Sequence, residues 1–214
     1  MASDAYEYDD ETLIEKFKNG DRESFNKLVE RYQKRAVNYL YRLSRNFELA
    51  EDIAQTGFLT VYQKASLFRT GFKFRPWFYK ILTNLYYGEM RKKKHVVQYS
   101  LDSSGGLSNG RSISSGEMLD ILLSVKKAKL PLDELEEKEK KTNIERLIAS
   151  LPHKQKVALA LYIYNELSYK EIASTMGCSV GTVKSRIHYA LINLKEEIVR
   201  LNSGGGLNGV QANI

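Results

Sequence analysis

Lys184 and Arg186 stand just beyond a glycine-containing turn in the string SYKEIASTMGCSVGTVKSRIHYALINLKEEI. Cations near the start of a helix suit guanine edges or phosphate oxygens, and the backbone N–H groups around Val180 to Thr182 can hold a phosphate. Two helices joined by such a turn form a helix-turn-helix, whose second helix fits the major groove. On spacing alone, DNA binding holds only a modest advantage over an ordinary helical hairpin with a solvated basic face.

Other reactive groupings fail on spacing. GCSVGTVKS looks faintly like a phosphate loop, but Gly177, Gly181 and Lys184 do not fall at G-x-x-x-x-G-K. His95, His153 and His188 are scattered, and the single cysteine, Cys178, has no second cysteine or paired histidines beside it to complete a zinc site. No Ser or Cys nucleophile has a base visible in the sequence. The chain therefore reads as a protein that is not an enzyme and needs neither metal nor cofactor.

These residues must be positioned by helices. From about Asp9 to His95 the pattern predicts consecutive helices. Leu13, Ile14 and Phe17 share a face, Gly20 stops that helix, and Asp21 offers a cap for the next. Phe25, Leu28, Val29 and Tyr32 then recur at helical spacing, continued by Ala36, Tyr39, Leu40 and Leu43. A third helix turns Leu49, Ile53, Phe58, Val61 and Ala65 inward and leaves Asp52, Gln55 and Gln63 on faces open to a partner. After the loop SLFRTGFKFR, Pro76 is predicted as the first residue of a fourth helix, where its missing N–H has no helical partner to lose. That helix runs from Trp77, Phe78 and Tyr79 to the basic run Arg91, Lys92, Lys93 and Lys94, which also suits a helix C-terminus.

From Val96 the composition shifts to Ser, Gly and Asn, the mark of a flexible linker. Beyond it, Leu151 and Pro152 close one helix and KQKVALALYIY forms another. Ser168 and Glu171 make a capping box for a short helix that Gly177 ends through its tolerance of positive φ. Ser179 caps the recognition helix, which buries Val183, Ile187, Leu191 and Leu194. The predicted fold is all-α, with two small helical domains over 9–95 and 133–201. A linker over 96–132 joins them, and tails occupy 1–8 and 202–214.

Net charge suggests a partner without deciding it, since a merely soluble basic surface has the same composition. The 214 residues carry a formal charge of +7, which makes a polyanion a natural ligand. The N-terminus, MASDAYEYDDETL, is acidic where a secretory signal is basic and then apolar, and no segment approaches the roughly 18 apolar residues of a membrane span. Those features point to a cytoplasmic protein.

YNELSYKEIASTMGCSVGTVKSRIHYALINLKEE closely resembles region 4 of bacterial sigma-70 family factors, which reads the minus-thirty-five promoter element. GDRESFNKLVERY, EDIAQTGFLTVY and FKFRPWFYKILTNLYYGEMRKKK resemble region 2, in the family's order. With region 2 leading through a linker to region 4, the architecture resembles an extracytoplasmic-function (ECF) sigma factor. The resemblance implies a transcription-initiation protein whose partners are core RNA polymerase, promoter DNA and an anti-sigma factor.

Carried over by position, Asp52, Gln55 and Thr56 match the helix face that docks on the beta-prime clamp coiled coil, while region 4 meets the beta flap. The loop from Ser66 to Arg75 and the helix after it match the segment that captures an unpaired base as the minus-ten element opens. Trp77 is expected to be mainly structural there. Phe72, Phe74, Tyr79 and Asn84 are expected to contact the strand, Lys80 belongs to the same minus-ten surface, and Arg91 to Lys94 are expected on phosphates. Ser179, Gly181, Thr182, Lys184, Ser185, Arg186, His188 and Tyr189 match the minus-thirty-five surface. A duplex-binding helix-turn-helix regulator is the alternative.

Overall fold

The computed structural model describes residues 8–96 and 147–203, and every regular element among them is helical. The chain divides into two compact units, with the first four helices in one. The linker and tail expected at 96–132 and 202–214 lie outside the described residues, except Val96, Asn202 and Ser203, which are helical.

Four helices build the first unit. α1 spans Asp10–Lys18 and α2 spans Arg22–Ser44. α3 spans Phe47–Lys64, a 3-10 turn follows at Ala65–Leu67, and α4 runs over Phe74–Val96. Each of the first three starts on a side-chain acceptor that satisfies N–H groups with no partner inside the helix. Asp9 accepts from the Thr12 N–H at 2.7 Å, Asp21 from the Glu23 N–H at 3.0 Å, and Asn46 from the Leu49 N–H at 2.8 Å. Between α1 and α2, Gly20 adopts φ +100°, the left-handed region that a side chain resists.

The core of this unit is aromatic. Tyr32 meets Phe74 and Phe78 edge-on at 5.4 and 5.3 Å, Phe74 stacks on Phe78 at 5.7 Å, and Phe58 closes on Phe78 at 5.1 Å. Such pairs contribute about 0.5–1.5 kcal/mol each beyond their buried area. Three of the hydroxyls find partners: Tyr32 donates to Asp10, Tyr39 bonds Thr83 at 2.8 Å, and Tyr86 donates to the Leu43 carbonyl at 3.2 Å. Burial pushes the Tyr86 phenol up to about 12, so these rings stay neutral across physiological pH.

One sequence expectation needs correction here. α4 begins at Phe74, two residues before the start expected from Pro76. Proline is tolerated at its actual place because the first four N–H groups of any helix lack an internal partner. Glycine inside a helix costs about 1 kcal/mol against alanine, but Gly57 serves the packing of this unit. A Cβ built on it would lie 2.4 Å from Leu82 Cδ2, so glycine is what lets α3 lie close against α4.

The C-terminal helices are α5, His153–Ile163, α6, Tyr169–Met176, and α7, Val180–Ser203. α5 packs along α7, where the Asn193 amide donates to Gln155 at 3.0 Å. Lys156, although buried, donates to the Ala149 carbonyl at 2.6 Å and so ties off the helical turn at 147–150.

Candidate nucleic-acid and protein interfaces

The turn between α6 and α7 is built as its sequence demands. Gly177 has φ +62°, and the Cys178 N–H closes back on the Ala173 carbonyl at 3.0 Å. Ser179 Oγ accepts the Thr182 N–H at 3.1 Å and bonds Thr182 Oγ1 at 2.9 Å. The Ser179 and Thr182 hydroxyls are thus engaged in starting the helix, and Ser185 Oγ donates back to the Gly181 carbonyl at 3.1 Å. At about 100° per residue, Gly181, Lys184, Ser185 and His188 share the sector opposite the buried Val183, Ile187, Ala190 and Leu194. Thr182, Arg186 and Tyr189 flank it. Lys184 is fully on the surface, Arg186 is half-buried, and the exposed Tyr189 ring meets His188 edge-on at 5.6 Å.

In the first unit, one loop aromatic faces solvent. Phe72 is 60 % exposed beside Gly71, whose φ of +89° turns the chain. The expectation that Phe74 and Tyr79 reach the strand is corrected: both are 1 % exposed. Starting α4 at Phe74 puts that ring in register with Phe78, Leu82 and Tyr86 on the buried stripe, while Tyr79 packs on Tyr39 at 5.2 Å. Burial raises the Tyr79 phenol above its ordinary range. Trp77 is half-buried, 5.2 Å from Phe68 and 6.0 Å from Phe74.

Lys80, Asn84 and Arg91 are exposed and fall within about 40° of one another around α4. Lys92 is exposed too and pairs with Glu89 at 2.6 Å. Lys93 and Lys94 lie on the last turns of α4.

On α3, Asp52, Gln55 and Thr56 are all exposed but border different hollows. Asp52 and Thr56 edge a hollow of about 190 Å³ with Leu85 and Glu89 of α4. Gln55 borders a larger cleft of about 370 Å³ between α2 and α3, where Phe25, Val29, Leu59 and Tyr62 supply an apolar lining. Leu59 and Tyr62 are 62 % and 45 % exposed. Sequence reasoning missed both, although they lie off the buried stripe of α3, and it placed Phe25 and Val29 in the core, where they are only half-buried.

Electrostatics around the loop centre on α1. The Lys18 ammonium and the Thr70 hydroxyl hold the Glu15 carboxyl below its usual range. Among the described residues no group of His, Cys, Asp and Glu is arranged to hold a metal ion, and no helix is long and apolar enough to cross a membrane.

Comparison with known proteins bears on both halves of the chain. A family profile described as Sigma-70 region 2 matches residues 28–96, and one described as Sigma-70, region 4 matches residues 141–194. The ECF RNA polymerase sigma factor SigW of Bacillus subtilis is 33% identical over 185 residues, spanning 86% of this chain and 94% of that protein. The RNA polymerase sigma-H factor of Pseudomonas aeruginosa is 31% identical over 184 residues, 85% of this chain and 89% of that protein. Among solved structures, CnrH in complex with the cytosolic domain of CnrY gives a TM-score of 0.62 at 17% identity, covering 92% of this chain and 99% of that one. Sigma factor RpoE in complex with the anti-sigma factor NepR from Bartonella quintana gives 0.60 at 24%, covering 82% and 96%. At those identities the likeness concerns the fold.

Proposed function

This chain belongs to the extracytoplasmic-function sigma factors of the sigma-70 family, non-enzymatic proteins of transcription initiation, and we propose how its surfaces divide that work. The 9–95 domain docks on core RNA polymerase through Asp52, Gln55 and Thr56 and the apolar cleft beside them. The same domain opens and holds the minus-ten element, and the 133–201 domain reads the minus-thirty-five element in duplex DNA. The cell compartment is the bacterial cytoplasm.

The observation that carries this reading is the exposed Phe72 ring on the loop that leads into α4, the helix whose polar face bears Lys80, Asn84 and Arg91. An aromatic ring that stacks on an extruded base contributes about 1–3 kcal/mol, which offsets the cost of unstacking that base. The cations of that face neutralise phosphates and add salt dependence but no sequence information. A duplex-only regulator has no use for such a ring. At the other element, Lys184 and His188 face outward from the start of α7 and Arg186 flanks them, a geometry suited to base edges and backbone in a major groove.

The solved neighbours described with NepR and with CnrY support a further partner, an anti-sigma protein that covers apolar surface such as the Leu59 and Tyr62 cleft.

The test is run-off transcription from a genomic fragment library with purified core polymerase of the source bacterium, with and without this chain. Chain-dependent transcripts sharing two spaced upstream motifs support the reading. Their absence, with the core shown competent by another sigma factor, overturns it. On a promoter so identified, Phe72→Ala is expected to weaken strand opening by about 1–3 kcal/mol.

A further inference from the structure

The loop that carries Phe72 has little structure of its own. Between the 3-10 turn and α4, the Phe72 N–H closing on the Arg69 carbonyl at 3.2 Å is its one internal backbone bond among the described residues. Its supports come from α1, far earlier in the chain. Lys18 Nζ donates to the Phe68 carbonyl at 3.1 Å. Thr70 Oγ1 donates to Glu15 Oε1 at 3.0 Å, and Glu15 Oε2 pairs with Lys18 at 2.9 Å. The Phe74 N–H, the first of α4, donates to Glu11 Oε1 at 2.8 Å, while Lys73 pairs with Glu11 Oε2 at 3.3 Å.

Glu11, Glu15 and Lys18 follow the i, i+4, i+7 spacing that puts them on one face of α1. They grip the loop at Phe68, at Thr70 and at Lys73 with Phe74. Gly71 and Phe72 lie between these grips, and Phe72 is left 60 % exposed. The neighbouring acids serve other purposes: Asp9 caps α1, and Asp10 bonds Arg31 and Tyr32 of α2.

We propose that Glu11 and Glu15, with Lys18, are positioning residues that strap the 68–74 loop to α1 and so present Phe72 to an unpaired base. The inference rests on the base-capture reading of Phe72 given above. A loop already held in its working shape loses less conformational entropy when the strand arrives, so the straps act on strand affinity without touching the strand. Glu11 has a second effect, because its carboxylate supplies an N-terminal acceptor to α4 and a negative charge where the helix dipole favours one.

The experiment uses the full chain bound to core polymerase and the non-template strand of a promoter found by the run-off assay. Glu11→Ala with Glu15→Ala is expected to weaken strand binding about tenfold, since bonds to charged groups are stronger than neutral ones. Glu11→Gln with Glu15→Gln keeps an acceptor oxygen at both positions and is expected to retain most of the affinity. Trp77, the single tryptophan, packs near Phe68 and Phe74 at both ends of the loop. Its fluorescence is expected to become more quencher-accessible in the alanine pair and to remain as in the parent in the glutamine pair.

Thr70→Val attacks the same strap from the loop side without altering α1. It is expected to weaken strand binding alone and to add nothing in the Glu15→Ala background. Strand affinity within twofold of the parent for the alanine pair overturns the proposal. So does a glutamine pair as defective as the alanine pair, or additivity of Thr70→Val with Glu15→Ala. If Phe72→Ala leaves strand affinity unchanged, the capture reading itself fails, and the proposal with it, even where the α1 variants alter Trp77.

Discussion

Gly57→Ala sets helix propensity against packing. Glycine inside a helix costs about 1 kcal/mol relative to alanine, so propensity alone predicts stabilisation of that size. The α3–α4 contact predicts the opposite. The new methyl would lie 2.4 Å from Leu82 Cδ2, whereas carbon atoms are at their optimum near about 3.5–4.0 Å. Leu82 is fully buried and has little room to turn away. Overpacking of this kind costs about 1–3 kcal/mol, which leaves a net loss of about 0–2 kcal/mol, centred near 1, once the propensity gain is subtracted. Urea unfolding of the full chain followed by Trp77 reports the first unit, where that tryptophan sits. In a Leu82→Ala background the offending Cδ2 is gone, and Gly57→Ala is expected to become stabilising by up to about 1 kcal/mol. The two backgrounds then differ by about 2 kcal/mol, a coupling typical of residues in direct contact. Stabilisation by the full propensity amount in the parent background would refute the packing argument.

Three further outcomes follow from named contacts. Bonds from the Ser24 hydroxyl, then from the Ser24 and Glu23 N–H groups, hold the Asp21 carboxyl below its usual range. Its contribution is therefore present above the ordinary aspartate pKa of about 3.9 and lost as pH falls through the depressed folded value, so acid unfolding curves of Asp21→Ala and the parent should converge in that window. Arg186→Ala should cost about 1–3 kcal/mol at a single base pair if the guanidinium reads an edge, whereas a uniform loss across promoter variants measured by duplex binding assigns it to the backbone. Lys92→Met should lower the salt slope of open-complex formation by about one phosphate equivalent, and an unchanged slope places the ammonium on Glu89 alone.

What the sequence determined by itself is local. Asp21 and Ser179 as caps, Gly20 as a helix stop, Gly177 as a left-handed turn, and the buried stripe of α7 all depend on neighbours a few residues away, and each is found as read. The polar positions of α3 follow for the same reason, since helical periodicity alone keeps Asp52, Gln55 and Gln63 off the core. Tertiary structure decided the rest. The proline rule placed the start of α4 at Pro76, but a packed aromatic core and an acceptor from α1 start it at Phe74, which buries the ring expected to meet DNA. Gly57 reads as a defect along the chain and is a contact across it. Leu59 and Tyr62 carry the composition of a core yet open onto a cleft, and the acids that strap the loop lie on a helix with no sequence link to it. Propensity and capping are set within one or two turns of backbone. Which faces meet, and which side chains remain to face a partner, is set by helices brought together over 63 residues of chain, as between Glu11 and Phe74.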